Sequence, residues 1–259
     1  MMRKEVTVEL FDWSTSTMRP CVIDQQLATT QKAGHRTGFI LWDASLALAR
    51  LITSQVLLPM LLPPGFLSPD WRWQQRSVLE LGTGLGLGSI SALLAGARRV
   101  VATDGDQALL ELTRANIQRN THGAAARAAV VPFAWGDASH RGGGPAFLSG
   151  HDVLIAADVL YGEHVQEFFY ALSRLLTIQM VAVVSIEQRQ GDEISCDDVR
   201  KGMSQAALEG EGGRNGERSA AARCHMMEVS NETRVDWGGL REKPGKRFSV
   251  FFVSPQILQ

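Results

Sequence analysis

Residues 78–88 constrain the fold of this chain more than any other stretch. An apolar run that contains Glu80 leads directly into four alternating glycines, which are Gly82, Gly84, Gly86 and Gly88. Residues 89–97 follow at once and have helical character. The pattern predicts a buried strand, a tight turn and a helix N-terminus. Because glycine has no Cβ, the backbone of such a turn can approach a ligand closely, and the helix N-terminus favours an anionic or carboxylate-bearing group.

Strand-like and helix-like segments alternate on both sides of this turn. We predict strands at residues 77–81, 99–104, 128–133, 152–157 and 179–186, and helices at 89–97, 107–120 and 162–176. Alternation at this spacing indicates an α/β fold with a mostly parallel sheet and helices on both faces. Residues 1–30 fit a β-hairpin or an extended arm, residues 43–53 fit a helix that Asp43 could cap, and residues 248–253 resemble a strand.

We expect one domain over residues 1–259, and composition suggests its divisions. An N-terminal arm (1–37) precedes the ligand-binding core (38–189), and a C-terminal strand region (234–259) ends the chain. Residues 190–233 interrupt the strand and helix alternation, and residues 210–219 are polar and rich in glycine. Such a segment buries little apolar surface, so we interpret residues 190–233 as a flexible insertion.

The composition and net charge of the chain argue against several classes of protein. A net charge of −1 argues against nucleic-acid binding through a broad basic field. No run reaches the length of about 18 apolar residues that a membrane span requires, and residues 1–10 lack the apolar region of a secretory signal. Cys21, Cys196 and Cys224 lack metal-ligand spacing and are interpreted as free thiols in a reducing compartment. His35, His140, His151 and His164 are scattered and interpreted as surface residues, so we propose no metal site. We expect a monomer in the cytoplasm or the nucleus.

The candidate site residues follow the predicted strands, because open parallel sheets bind ligands at the carboxyl ends of their strands. Asp104 can accept hydrogen bonds from both hydroxyls of a ribose, or it can cap the next helix, a role for which Asp106 competes. Trp135 can pack on an adenine or belong to the core. Ala157 and Asp158 follow the fourth strand. Glu80 is a carboxylate in an apolar strand and therefore requires a local partner.

Two cofactors that contain a nucleoside fit these residues, a nicotinamide dinucleotide and S-adenosylmethionine. The dinucleotide motif G-x-G-x-x-G needs its third glycine three positions after the second. Here Leu87 occupies the position three after Gly84. This weakens the dinucleotide interpretation without excluding it.

Several stretches resemble one family. Residues 78–86 are similar to motif I of the seven-β-strand S-adenosylmethionine-dependent methyltransferases. Further stretches resemble motifs of the methyltransferase-like protein-lysine methyltransferases, namely 38–45 around Trp42, Thr103-Asp104 with 115–120, Trp135-Gly136, and the D-x-x-Y pattern from Asp158 to Tyr161. Residues 185–189 resemble the end of strand five in a subgroup acting on a nucleic-acid-associated protein. The set covers about residues 36–189 in the order of the family.

The resemblance implies a Rossmann-like seven-stranded methyltransferase sheet with a final antiparallel strand hairpin. It implies that S-adenosyl-L-methionine is the cofactor and that a protein bearing a target lysine is the substrate. Asp158 and Tyr161 are then the catalytic residues, which orient the amine or accept its proton through water. The implied cofactor-binding residues are Trp42, Glu80, Gly82, Thr83, Gly84, Gly86, Asp104, Trp135 and Ala157.

Other functions remain open from the sequence. The alternatives are methyl transfer to a nucleic acid or a small molecule, a nicotinamide-dependent reductase, and a non-catalytic adaptor. Enzymes that methylate planar exocyclic amines usually carry prolines in the motif at the fourth strand end, and residues 158–161 contain none. This difference and the near-neutral charge favour a protein acceptor.

Overall fold

A seven-stranded sheet forms the centre of the protein. The computed structural model describes residues 2–27, 37–54, 67, 70–136, 146–162, 164–177, 180–189, 194–209, 223–229 and 247–254. The strands are β1 Met2–Asp12, β2 Thr17–Leu27, β3 Ser77–Leu81, β4 Arg99–Asp104, β5 Ala128–Pro132, β6 Val153–Ala157, β7 Val181–Gln188, β8 Arg223–Val229 and β9 Arg247–Ser254. The α-helices are α1 Asp43–Thr53, α2 Leu87–Leu94, α3 Gln107–Thr121, α4 His164–Leu175 and α5 Cys196–Glu209.

The strand order in the sheet is β5-β4-β3-β6-β7-β9-β8. Strands β3 to β7 pair in parallel, whereas β9 runs antiparallel to both β7 and β8. The predicted fold class, a mostly parallel Rossmann-like sheet with a C-terminal antiparallel strand, is confirmed. The order reverses between β3 and β6, and this switch point is where ligands bind in sheets of this kind.

Both faces of the sheet are covered by helices. All five residues of β3 are buried, as expected for a strand with helices on both sides. Val78 packs with residues of α1, α2 and α3 in one apolar cluster. Leu79 and Leu81 pack with residues of α4 and α5 in another. The central strands lie between the two clusters, and β3 leads into the turn at residues 82–86.

The N-terminal arm is a β-hairpin. Strands β1 and β2 pair antiparallel, with Met2 opposite Leu27 and Asp12 opposite Thr17. Their two-stranded sheet is separate from the central one and packs against α3 through β2. The hairpin alternative for this region is therefore confirmed.

The interpretation of residues 190–233 as a flexible insertion is wrong for much of that range. It contains α5, whose buried residues Val199, Met203, Ala206 and Ala207 recur at helical spacing. It also contains β8, which pairs with β9 along its length. The glycine-rich composition of residues 210–219 obscured the apolar face of α5. Residues 190–193, 210–222 and 230–233 lie outside the described residues, and the proposed domain divisions remain predictions.

Two local expectations differ from the structure. Asp43 is the first residue of α1, and Trp42 occupies the cap position without a side-chain cap bond. Asp43 is therefore not the cap, although a carboxylate in the first turn still complements the helix dipole. Among the described residues, no helix has the length and the apolar character needed to cross a membrane.

Candidate active site

A cavity of about 810 Å³ lies at the carboxyl ends of β3, β4, β5 and β6. Most of the site residues predicted from the sequence lie on its wall, namely Trp42, Gly82, Thr83, Gly84, Asp104, Trp135, Ala157, Asp158 and Tyr161. Glu80 and Gly86 are not part of the wall. Direct contact of these two residues with a cofactor has no support in the geometry.

The turn after β3 depends on backbone conformations that favour glycine. Gly82 has φ +66° and Gly84 has φ +53°, both in the left-handed region. A Cβ on Gly82 would lie 2.7 Å from Val159 Cγ1 and 3.2 Å from Trp135 Cζ2. The N–H of Thr83 donates to the carbonyl of Thr103 at 2.8 Å, which ties the turn to the end of β4. The turn therefore presents bare backbone to the cavity.

Glu80 stabilises the turn through hydrogen bonds of its carboxylate. Its Oε2 accepts hydrogen bonds from Thr83 Oγ1 at 2.6 Å and from Ser89 N at 3.0 Å, and also from Ser89 Oγ. Burial raises the pKa of this carboxyl to about 7, although the hydrogen bonds from Ser89 and Thr83 act in the opposite direction. Glu80 thus joins the turn to the first residues of α2. Gly86 is the cap residue of α2, with φ +87°.

Asp104 connects the turn to the start of α3. Its Oδ2 accepts from the N–H of Gly84 at 3.0 Å and its Oδ1 from the N–H of Asp106 at 3.0 Å. The helix cap is Asp106, whose side chain accepts from Ala108 N, so the capping role considered for Asp104 belongs to its neighbour. Burial raises the pKa of Asp104, and hydrogen bonds from Asp106 and Gly84 oppose this. Each oxygen of an ionised carboxylate can accept further hydrogen bonds, for example from hydroxyls.

Two tryptophans lie on the cavity wall. Trp135 borders Gly82 and packs edge-on against Phe168, with ring centroids 5.3 Å apart. It therefore belongs both to the core and to the cavity wall. Trp42, directly before α1, donates from Nε1 to the carbonyl of Thr37 at 2.9 Å. Residues 28–36, which precede this segment, lie outside the described residues.

Asp158 and Tyr161 lie on the cavity wall after β6. Asp158 has φ +57°, and its N–H donates to the carbonyl of Ser185 at 2.8 Å. Its side chain is 8% exposed and forms an ion pair with Arg189. Burial raises the pKa of Asp158, and Arg189 opposes that effect. Tyr161 is 46% exposed, and its hydroxyl lies 3.1 Å from Thr37 Oγ1.

Sequence reasoning did not assign Arg189, which follows β7 and contacts both Asp158 and the Trp42 ring. The rule applied to the other strands, that site residues follow strand carboxyl ends, would have found it. Glu167 of α4 was also missed. It lines the cavity and lies 3.0 Å from His164 Nδ1.

The interpretation of the histidines as surface residues is wrong for His151. Its ring is buried between Ser77 Oγ at 3.0 Å and the carbonyl of Phe147 at 2.8 Å. Its contacts join the start of β3 to the segment before β6. His35 and His140 lie outside the described residues. Within the part of the chain that the structure describes, no group of three or more histidine, cysteine or acidic residues could hold a metal ion.

A sequence model of the family described as lysine methyltransferase matches residues 22–196, more than half of the chain. The chain therefore belongs to the lysine methyltransferase family. It is 38% identical over 97 residues to the protein N-terminal and lysine N-methyltransferase EFM7 of Cryptococcus neoformans var. neoformans serotype D (strain B-3501A), a match that covers 34% of this chain and 30% of that protein. It is 31% identical over 125 residues to the protein N-lysine methyltransferase METTL21A of Xenopus tropicalis, covering 48% of each. The matches thus span half or less of these relatives.

Solved structures share the fold at low identity. A SAM-dependent methyltransferase from Agrobacterium tumefaciens is similar with a TM-score of 0.54 and 12% identity, covering 96% of this chain and 77% of that one. Magnesium protoporphyrin IX methyltransferase from Synechocystis PCC 6803, solved with bound SAH, has a TM-score of 0.52 and 14% identity, covering 89% and 88%. At such identities the likeness concerns the fold alone.

Proposed function

We propose that this chain is an S-adenosylmethionine-dependent methyltransferase that methylates lysine side chains of a protein substrate. The observation that carries the proposal is the composition of one cavity wall. A chain of the lysine methyltransferase family has its glycine turn, Asp104, Trp135, Asp158 and Tyr161 around a single cavity at the switch point of the sheet. Along the chain, these residues follow one another in the order of the family motifs.

The residues of the cavity fit the cofactor. Its volume of about 810 Å³ is within the range of small-molecule sites, roughly 300–1,000 Å³. The bare backbone at Gly82 leaves room for a close approach, and the Asp104 carboxylate can accept hydrogen bonds from ribose hydroxyls. Trp135 offers an aromatic face for adenine. The residues that would hold the cofactor are Trp42, Gly82, Thr83, Gly84, Asp104, Trp135 and Ala157.

The acceptor side of the site must align a neutral amine. When bound, S-adenosylmethionine supplies an electrophilic methyl group on a sulfonium sulfur. A lysine amine has an ordinary pKa of about 10.4 and must lose a proton before it attacks. The Asp158 carboxylate accepts a hydrogen bond from that amine, or its proton through water, and the exposed Tyr161 hydroxyl guides the side chain inward. Most of the rate enhancement then comes from alignment.

The alternatives receive less support. A nicotinamide-dependent reductase conflicts with the family to which the chain belongs and with Leu87 at the third glycine position. A nucleic-acid acceptor has little support from a net charge of −1 or from the residues between Asp158 and Tyr161. We propose a protein partner, a monomeric enzyme and a location in the cytoplasm or the nucleus.

Calorimetric titration and methyl transfer test the proposed function. The purified chain should bind S-adenosylhomocysteine and should not bind NAD⁺. With labelled S-adenosylmethionine and a cell lysate, it should transfer label to a protein, and mass spectrometry of the labelled band should find the methyl on a lysine. Binding of NAD⁺ alone, or label in nucleic acid alone, would overturn the proposal. Label on a protein N-terminus would replace lysine by the α-amino group as acceptor.

The Asp104→Asn variant tests the ribose assignment. The variant keeps the size of the side chain but removes its negative charge. That charge strengthens the hydrogen bonds from the N–H groups of Gly84 and Asp106 and those expected from the ribose hydroxyls. Since hydrogen bonds to charged groups contribute about 1.5–3 kcal/mol, the affinity for S-adenosylhomocysteine should fall by roughly tenfold to a hundredfold. Glu111→Gln, an exposed change on α3 with the same loss of charge, is the control. Equal affinity in Asp104→Asn and the parent would remove Asp104 from the cofactor site.

A further inference from the structure

One arginine links three parts of the candidate active site. Nη2 of Arg189 donates to Oδ2 of Asp158 and to Oε2 of Glu187, the latter at 3.0 Å. The two carboxylate side chains are each 8% exposed, while that of Arg189 is 36% exposed. The guanidinium carbon also lies 5.1 Å from the centroid of the Trp42 ring. The end of β6, the end of β7 and the segment before α1 therefore meet at a single side chain.

Arginine suits this position for physical reasons. Two nearly buried carboxylates are costly without a cation nearby, because their charges lose hydration. A guanidinium is planar and permanently charged, so it can form ion pairs along its edge while its face stacks on an aromatic ring. Lysine can neutralise the carboxylates but has no planar face for such a stack. The contacts with Asp158 and with Trp42 can thus be separated experimentally.

The backbone of Asp158 adds a second observation. Asp158 has φ +57°, in the left-handed region that residues with a Cβ rarely adopt. Such a conformation persists where surrounding contacts determine it, and these residues often lie at functional sites. At Asp158 these contacts include the backbone bond to Ser185, a hydrogen bond from the backbone of Glu187 and the ion pair with Arg189. The chain therefore fixes this carboxylate from both its backbone and its side chain.

We propose that Arg189 is a positioning residue for methyl transfer, which orients Asp158 toward the acceptor amine and holds Trp42 against the cofactor. This inference rests on the proposed function and deepens it. Arg189 itself has no place on the wall of the cofactor cavity, whereas Asp158 and Trp42 both do. It also lines a neighbouring cavity between α4 and α5, with Tyr161 common to both cavities. Its effect on the reaction is exerted through its two partners.

The pKa of Asp158 is a measure of its ion pair with Arg189. Because Arg189 opposes the rise that burial causes in the pKa of Asp158, loss of the guanidinium should raise that pKa further. Other charged or titratable groups also surround this part of the site. Glu187 lies beside Arg189, and the cofactor cavity is lined by Tyr161, His164, Glu167, Asp104 and Asp106. The neighbouring cavity is lined by Tyr170 of α4 and by Asp198, Lys201 and Glu209 of α5.

The test compares Arg189→Met, Arg189→Lys and the parent protein. In carboxyl NMR titrations, with the Asp158 signal assigned from Asp158→Asn, the midpoint in Arg189→Met should move up by about one pH unit, and Arg189→Lys should stay near the parent. The ratio of kcat/KM between Arg189→Met and the parent should fall toward low pH, since the ionisation of the substrate amine is common to both. Both variants should bind S-adenosylhomocysteine about twofold to fivefold more weakly, because both lose the stack on Trp42.

The outcomes distinguish a failure of the proposed function from a failure of the positioning role of Arg189. A parent protein that neither binds S-adenosylhomocysteine nor transfers methyl would overturn the proposed function. An active parent with an unchanged Asp158 midpoint in Arg189→Met would overturn the effect on Asp158, and unchanged affinity in Arg189→Lys would overturn the effect on Trp42. If Arg189→Met does not fold, Arg189→Gln, which also removes the positive charge, tests the contact with Asp158, and Arg189→Lys still tests the contact with Trp42. Arg200→Met, at an exposed ion pair with Asp197, should match the parent in every measurement.

Discussion

Gly82 shows how the absence of one side chain shapes the site. The residue lies between Val159 and Trp135, and its φ of +66° favours glycine. The turn can therefore pass close to the tryptophan while its backbone faces the cavity. Gly150 has a similar φ of +74°, but a Cβ there would meet nothing within 4 Å. A comparison of Gly82 with Gly150 therefore distinguishes two costs of adding a Cβ, the strain of the left-handed backbone and the crowding by neighbouring atoms.

Alanine at each position gives a prediction. Gly150→Ala should lower the free energy of unfolding by about 1–2 kcal/mol, the cost of the left-handed region for a residue with Cβ. Gly82→Ala should lower it by a further 1–3 kcal/mol or so, because the new methyl overlaps Val159 Cγ1. Urea denaturation measures both. Gly82→Ala should also weaken S-adenosylhomocysteine binding, which Gly150→Ala should leave unchanged. Equal losses of stability would mean that the crowding at Gly82 relaxes freely.

Much of the candidate site could be predicted at the scale of residues. Asp104, Trp135 and Asp158 follow predicted strands, and the convergence of parallel strands at one edge brought them to one cavity wall. The requirement for a local partner of Glu80 was predicted from its burial, and Thr83 and Ser89 supply it. Arg189 was missed because its role depends on contacts with residues 31 and 147 positions away in the sequence. Its position directly after β7 was the available signal, but the sequence does not show which residues it contacts.

At the scale of elements, α3 holds the N-terminal hairpin by two asparagine side chains. Asn116 accepts from the N–H of Asp24 and donates to its carbonyl, and Asn120 does the same with Val22. Residues four apart lie on one face of a helix, while residues two apart lie on one side of a strand. The amides thus pair with successive backbone groups of β2 much as a neighbouring strand would. Asn116 also donates to the carbonyl of Leu85, in the turn beside the cavity.

Asn116→Ala should release the hairpin. The change leaves backbone groups of Asp24 and Leu85 without their partner in a buried environment, at a cost of about 1–3 kcal/mol for each unsatisfied group. We expect a clear loss of stability in urea and faster amide exchange across β2. Gln118→Ala, an exposed change on the same helix, is the control. If exchange in β2 is equal in Asn116→Ala and the control, the hairpin is held by its apolar contacts alone.

The C-terminal elements show what local patterns cannot predict. Helix α5 has apolar residues at helical spacing, but they adjoin a glycine-rich stretch that suggested an insertion. Strand β9 lies between β7 and β8, which precede it in the chain. This order depends on pairing between distant segments, and no hairpin signal close in sequence determines it. The resemblance to the family supplied the antiparallel strand that the residues alone left open.

At the scale of the whole molecule, one carboxyl group is buried on the face of the sheet that α2 covers. The side chain of Glu80 is buried, and this burial raises its pKa to about 7 from an ordinary value of 4.5. The folded protein therefore holds the proton more tightly than the unfolded chain does between these two values. By linkage, Glu80 stabilises the fold most below about pH 4.5, and this contribution is lost as the pH rises to about 7.

Glu80→Gln should therefore change how the stability of the whole protein depends on pH. The free energy of unfolding of the parent, minus that of Glu80→Gln, should fall between pH 5 and pH 7 by up to about 3 kcal/mol and then level off. The contributions of the other titrating groups are common to both proteins and therefore cancel in this difference. Urea denaturation at pH 5, 6, 7 and 8 measures it, and Glu111→Gln, an exposed carboxylate on α3, should give a flat difference. A flat difference for Glu80→Gln as well would show that the bonds to Thr83 and Ser89 keep Glu80 ionised within the fold.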